Sequence, residues 1–184
     1  MNEFKLLIDG KLVVGAATLD VINPASEAFL AAAPRADIAQ LDEAIAAAKA
    51  AFPAWSVKPV RERGALLGRV ADALDARKDE FARLLTLEQG KPLSEAVWEI
   101  GFSIDIIRYH AKLDLPNEVL KEDTKQKIVR QRMPLGVVAA IVPWNFPVVL
   151  LVLKLAPALL AAAAELGPIS NASTLFGKPP LGKG

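Results

Sequence analysis

The sequence predicts an α/β protein with an N-terminal hairpin and several helices, followed by the first strand and helix of a parallel sheet. Three observations carry this prediction. Apolar residues recur at three- and four-residue steps between residues 38 and 107, which is the period of an α-helix. A continuous β-branched run, LGVVAAIV, spans residues 135–142 and is typical of a buried parallel strand. A proline-bounded turn then leads into an apolar helical stretch.

The length and composition limit the classes of protein and of functional site to which the chain can belong. The chain has 184 residues, enough for one domain with a sizeable core. Lysine and arginine number 22 against 21 acidic residues, so no net charge favours nucleic acid or an anionic membrane surface. There is no cysteine, which excludes disulfides, thiolate metal sites and a cysteine nucleophile within these residues. We expect no metal. The N-terminus lacks the pattern of a signal peptide, which predicts a cytoplasmic location.

The N-terminal elements follow from local signals. Asp9-Gly10 lies between two short apolar runs and predicts a hairpin. Asp37 is placed to cap a first helix. A second helical stretch starts after Pro59, is interrupted by the polar segment 75–80, and ends at Gly90.

A third helix is predicted to follow Ser94. The residues expected to be buried along these helices share the 3.6-residue period, and they are Leu67, Val70, Leu74, Val97, Ile100, Ile104 and Ile107.

Beyond Pro116 the sequence changes character. Residues 118–134, EVLKEDTKQKIVRQRMP, are strand-like and strongly charged, which suits an edge strand that resists indiscriminate pairing. The apolar strand 135–142 follows and stops at Pro143. Pro147 then opens a helix expected to run to about Ala164. In open α/β sheets, anionic ligands bind where such a strand ends and faces a helix N-terminus.

One polar residue, Asn145, lies in that turn, inside an otherwise apolar stretch. Two interpretations are open. Its side-chain oxygen could accept a backbone N–H of the following helix and cap it. Alternatively, its amide N–H₂ could point into a cleft and stabilise a developing oxyanion.

The motif PLGVVAAIVPWNFP followed by KLAPALLA, together with the upstream pieces NPAS, AFPAW and LEQGKPLSEA, resembles the aldehyde dehydrogenase superfamily over roughly residues 1–162. The resemblance implies that Asn145 contributes an oxyanion hole when a cysteine attacks an aldehyde. It also implies that Val142, Pro143, Trp144 and Asn145 lie along the nicotinamide end of NAD or NADP.

The resemblance gives Lys154 a charge-relay role. The alternative for Lys154 is a helix lysine whose amine extends to water. His110 and Glu88 are interpreted as structural residues, since nothing in the sequence around them indicates catalysis.

The chain departs from the family after Ala162, where it continues AAELGPISNASTLFGKPPLGKG. The family's cysteine nucleophile and general base have no counterpart here, so we expect an incomplete, truncated or internally deleted member. The expected parts are a hairpin and helical portion (1–115), a charged oligomerisation-type arm (116–134), one strand and helix of a Rossmann-like sheet (135–164) and a divergent tail (165–184).

Three functional hypotheses follow. The first is an NAD(P)-dependent oxidoreductase acting on an aldehyde by resemblance, inactive alone and binding its cofactor weakly or not at all. The second is a non-catalytic fragment that pairs with a full-length relative through the charged arm, as a homo- or hetero-oligomer. A membrane protein is disfavoured, because Pro143, Pro147 and Pro157 interrupt the apolar stretch.

Overall fold

The computed structural model describes residues 4–162 and the backbone of residues 164–166. The chain starts with two antiparallel hairpins, β1 (Leu6–Ile8) with β2 (Lys11–Val13) and β3 (Ala17–Ile22) with β4 (Phe29–Arg35). The first hairpin confirms the Asp-Gly prediction. Asp9 and Gly10 have φ values of 51° and 72°, the left-handed pair that a two-residue hairpin turn requires.

Four helices follow: α1 (Ile38–Ser56), α2 (Val60–Asp75), α3 (Lys78–Gln89) and α4 (Leu93–Ala111). The predicted cap of α1 is confirmed, since Asp37 Oδ1 accepts a hydrogen bond from the Gln40 N–H at 2.8 Å. Gly90 ends α3 with φ 77°, and a Cβ there would lie 2.7 Å from Pro24 Cγ. Both conditions favour glycine at this helix end.

The core lies where α2, α3 and α4 pack together. The buried stripe of α4 contains Ile100, Ile104 and Ile107, as the helical period predicts. One predicted core residue is wrong: Val70 is exposed on the outer side of α2, because its apolar neighbours Leu67 and Ala71 take the inward face.

The charged segment forms a hairpin of two strands, β5 (Glu118–Glu122) and β6 (Lys127–Arg130). Every residue of both strands is exposed. Asp123 in its turn accepts backbone N–H bonds from Lys125 and Gln126 at 2.8 and 3.0 Å. These bonds, with Lys121, hold the pKa of the Asp123 carboxyl below its ordinary value.

The last described unit is a β-α-β unit. Strand β7 (Val137–Ala139) leads to α5 (Pro147–Leu160) and then to β8 (Ala164–Leu166), which pairs with β7 in parallel. Two expectations are corrected here. The sheet does not stop after one strand and one helix, and α5 ends at Leu160 rather than near Ala164.

The strand is also shorter and less covered than predicted. Only three residues of the run 135–142 pair, and the side chain of Ile141 is 69% exposed. Ala140 and Val142 are buried. In the described part of the chain, β7 is paired along one edge, with β8 as its sole strand neighbour. The tail was predicted for residues 165–184, and its part after residue 166 lies outside the described residues.

Two side chains from the helical portion hold the C-terminal end of α5. Arg63 Nε donates to the Leu160 carbonyl at 2.9 Å, and Trp55 Nε1 donates to the Leu159 carbonyl at 3.1 Å. Arg63 is buried, and desolvation lowers the pKa of its guanidinium from the ordinary value. A cation at this end complements the helix dipole.

Across residues 4–162 and 164–166, no helix combines the length and the apolar character needed to cross a membrane. The same residues contain no group of three or more histidine, aspartate and glutamate side chains arranged to hold a metal ion.

Candidate functional site

The candidate site is the turn between β7 and α5, which we call the PWNF turn and define as residues 143–146. All four of its residues are exposed, and the Trp144 side chain is 51% exposed. Val142, immediately before it, is buried. The turn therefore presents Trp144 and Asn145 at the carboxyl end of β7, the edge at which α/β sheets bind ligands.

The capping interpretation of Asn145 is wrong. The residue that precedes the first turn of α5 is Phe146, and no side chain of the turn caps the helix. Among the described residues, Asn145 is engaged through its backbone carbonyl, and its side-chain amide makes no hydrogen bond. The geometry leaves that amide available to a ligand.

The cap comes instead from Glu99 on α4. Its Oε1 accepts hydrogen bonds from the backbone N–H groups of Val148 and Val149 at 2.9 and 3.3 Å. Its side chain is 0% exposed. A carboxylate at the helix N-terminus satisfies two unpaired donors and favours the dipole.

The loop after α3 completes the contact. Lys91 Nζ forms an ion pair with Glu99 Oε2 and donates to the Asn145 carbonyl at 3.1 Å. The ammonium also lies 4.4 Å from the centroid of the Phe146 ring. Gln89 Nε2 donates to the Trp144 carbonyl.

Gln89, Lys91 and Glu99 were missed in the sequence. The signal for Glu99 was present, since it lies at helical spacing between Ala96 and Ser103 on the buried face of α4. A charged residue on a buried helical face needs a partner. Nothing in the sequence identified that partner, because the α5 N-terminus lies almost 50 residues further along the chain.

The other predicted residues lie on three different helices, Lys154 on α5, His110 on α4 and Glu88 on α3. Lys154 is exposed and donates to the Leu150 carbonyl of its own helix at 3.3 Å. His110 Nδ1 lies 2.9 Å from the Ile106 carbonyl within α4, and its ring packs edge-on against Tyr109. Glu88 is buried in α3.

Glu99 occupies the N–H groups at the start of α5, so a phosphate would meet a carboxylate there rather than free donors. The exposed Pro143, Trp144 and Asn145 offer an apolar surface and an amide.

Comparison with known proteins decides the family. The model of the aldehyde dehydrogenase family matches residues 13–167. The chain belongs to the aldehyde dehydrogenase family. It is 37% identical to the glutarate-semialdehyde dehydrogenase of Pseudomonas putida over 147 residues, which cover 78% of this chain and 31% of that protein.

Solved structures share this fold. An NADP-dependent enzyme from E. coli superimposes with a TM-score of 0.86 at 32% identity, covering 94% of this chain and 37% of that one. Betaine aldehyde dehydrogenase from Staphylococcus aureus, in complex with NAD⁺, gives 0.81 at 30% identity, covering 89% and 34%. The chain thus spans about a third of the length of these relatives.

Proposed function

We propose that this chain is the N-terminal portion of an NAD(P)-dependent aldehyde dehydrogenase and that Asn145 is its oxyanion donor. The observation that carries the proposal is the state of the Asn145 amide. Glu99, rather than Asn145, caps α5. The Asn145 amide has no hydrogen-bond partner among the described residues and is exposed after the end of β7. An N–H donor at such a position stabilises the negative oxygen that develops when a nucleophile adds to an aldehyde.

The cofactor in this proposal is NAD or NADP, which accepts a hydride when bound. In this chain Pro143, Trp144 and Asn145 would line its nicotinamide end, as the exposure of the turn supports. Val142 would contribute through its backbone, because its side chain is buried. We place Lys154 in the site only as a family-based proposal, since its amine bonds to α5 itself.

The thiol nucleophile must come from residues other than these 184, which contain no cysteine. We therefore expect the purified chain to produce no NAD(P)H from glutarate semialdehyde or other aldehydes. A chimera joining residues 1–160 to the remainder of the Pseudomonas putida glutarate-semialdehyde dehydrogenase should oxidise them. Absorbance of the reduced cofactor measures both. Turnover by the chain above a heat-inactivated sample, or a folded but inactive chimera, would contradict the proposal.

A second candidate is a non-catalytic chain that pairs with a full-length relative. The β5–β6 hairpin favours it, because its apolar side chains Val119, Leu120, Ile128 and Val129 are all exposed on both strands. An isolated two-stranded hairpin of this kind gains stability by adding strands or a covering surface.

Co-expression with a tagged full-length relative tests the pairing. We expect the chain to co-purify, and Ile128→Asp to abolish the association, because a buried carboxylate in the new interface would lack a partner. Leu12→Asp is the control, since Leu12 is also an exposed apolar residue but lies on the first hairpin. Equal loss with both variants would count against the arm.

A further inference from the structure

Three side chains from residues 89–99 hold the PWNF turn and the start of α5: Gln89 and Lys91 contact the turn, and Glu99 contacts α5. We propose that Lys91 and Glu99 are positioning residues that set the orientation of this turn and therefore of the Asn145 amide. The chemical meaning of this role rests on the proposed function. Neither side chain is assigned contact with substrate or cofactor; both act through the backbone of the turn and of α5.

Glu99 fixes the start of α5 to α4. Its two oxygens have separate tasks: Oε1 accepts from the Val148 and Val149 N–H groups, and Oε2 pairs with Lys91. The side chain is fully buried, so water cannot replace either partner. A buried carboxylate that loses one of its partners is strongly disfavoured, which ties the helix N-terminus and Lys91 to one relative arrangement.

Lys91 fixes the other side of the turn. Its side chain is 13% exposed, and its ammonium contacts Glu99, the Asn145 carbonyl and the face of the Phe146 ring. An ammonium has three donors, so one group can hold both a carboxylate and a backbone carbonyl. The peptide that follows the Asn145 Cα is thereby held directly, and with it the direction of the Cα–Cβ bond from which the amide extends.

Gln89 adds a third contact one residue earlier, at the Trp144 carbonyl. Carbonyls at 144 and 145 are thus held by side chains, whereas the regular helical bonding begins with the Leu150 N–H donating to Phe146. This is the arrangement expected of a turn whose shape is imposed from outside. Irregular backbone generally needs such external partners for its polar groups.

The opposite end of α5 provides an internal control. Arg63 and Trp55 hold the carbonyls of Leu160 and Leu159 and do not touch the turn. A change at Arg63 should therefore loosen α5 without reorienting Asn145. A change at Lys91 or Glu99 should do both.

The test uses the 184-residue chain labelled with 5-fluorotryptophan, which reports on Trp55, Trp98 and Trp144 as three ¹⁹F resonances. Trp144→Phe assigns the signal of the turn, and ¹⁵N spectra give the Asn145 side-chain amide. We expect Glu99→Gln and Lys91→Gln to shift the Trp144 and Asn145 signals. Arg63→Met should shift Trp55, lower the melting temperature, and leave the Trp144 and Asn145 signals in place.

The Lys91→Gln/Glu99→Gln double variant should shift the Trp144 signal by less than the sum of the two single shifts, because the residues act as a pair. If Glu99→Gln does not fold, Gln89→Leu gives an independent test, with the shift expected at Trp144. Unchanged turn signals in the folded variants, or an equal shift with Arg63→Met, would overturn the positioning role. These spectra need no activity, so an inactive chimera would contradict the proposed function and not this inference.

Discussion

Replacing Asn145 by alanine in the 1–160 chimera is expected to lower kcat by about 10²–10³-fold, or roughly 2.7–4 kcal/mol, the usual cost of one lost oxyanion donor. Melting temperature should hardly change. The reason is structural: Glu99, not Asn145, caps α5, so no helix donor loses its partner. A lost cap would instead have cost about 1 kcal/mol of stability.

Turnover and melting temperature measured on the same preparation separate the two roles. Asn145→Asp is the matched variant, since it keeps the shape of the side chain but replaces the N–H₂ donor with an oxygen that repels an oxyanion. We expect it to be at least as slow as the alanine variant. An active but destabilised Asn145→Ala enzyme would show that the residue serves the fold.

The features that the sequence predicted correctly are those fixed by neighbouring residues. The Asp9-Gly10 hairpin, the Asp37 cap and the Gly90 helix end each depend on a partner within about four positions. The buried stripe of α4 was also predictable from local sequence, because its apolar residues recur with the helical period.

The features that were missed depend on distant partners. The cap joins Glu99 to Val148 and Val149, which lie 49 and 50 positions further along the chain. No local pattern indicates which helix a buried glutamate caps. Strand β8 has three residues and pairs with β7 from across α5, so its own sequence shows no alternation. The prediction that Val70 is buried was wrong for a related reason. Both faces of α2 carry apolar residues, and α4 packs against the face that carries Leu67 and Ala71.

The candidate site likewise has one part that the sequence predicts and one part that it does not. The PWNF turn was recognisable from its motif, and its exposure agrees with a ligand-facing role. The role of Asn145 could not be chosen from the sequence, because a cap and an oxyanion donor occupy the same position relative to a helix. In the structure Glu99 supplies the cap, and this contact exists only after α4 has packed against α5. The oxyanion role of Asn145 is our proposal, which the turnover of Asn145→Ala tests.

The packing of α2 against α4 predicts that the same substitution, glycine to alanine, changes the free energy of unfolding in opposite directions at two positions of α2. Gly64 and Gly68 lie one turn apart on α2. A Cβ on Gly64 would overlap the carbonyl oxygen of Ala111 and lie 3.3 Å from its carbonyl carbon. A Cβ on Gly68 would meet no atom within 4 Å.

Gly68→Ala should therefore stabilise the chain by about 0.5–1 kcal/mol, since alanine loses less backbone entropy than glycine in a helix. Gly64→Ala gains the same entropy term, but it forces the end of α4 away from α2. Overpacking of this kind usually costs about 1–3 kcal/mol, so the net effect should be destabilising. Urea unfolding followed by circular dichroism measures both variants. Equal stabilisation by both would mean that α4 can shift at Ala111 without loss, and that the close approach at Gly64 does not fix the two helices that carry Arg63 and Glu99.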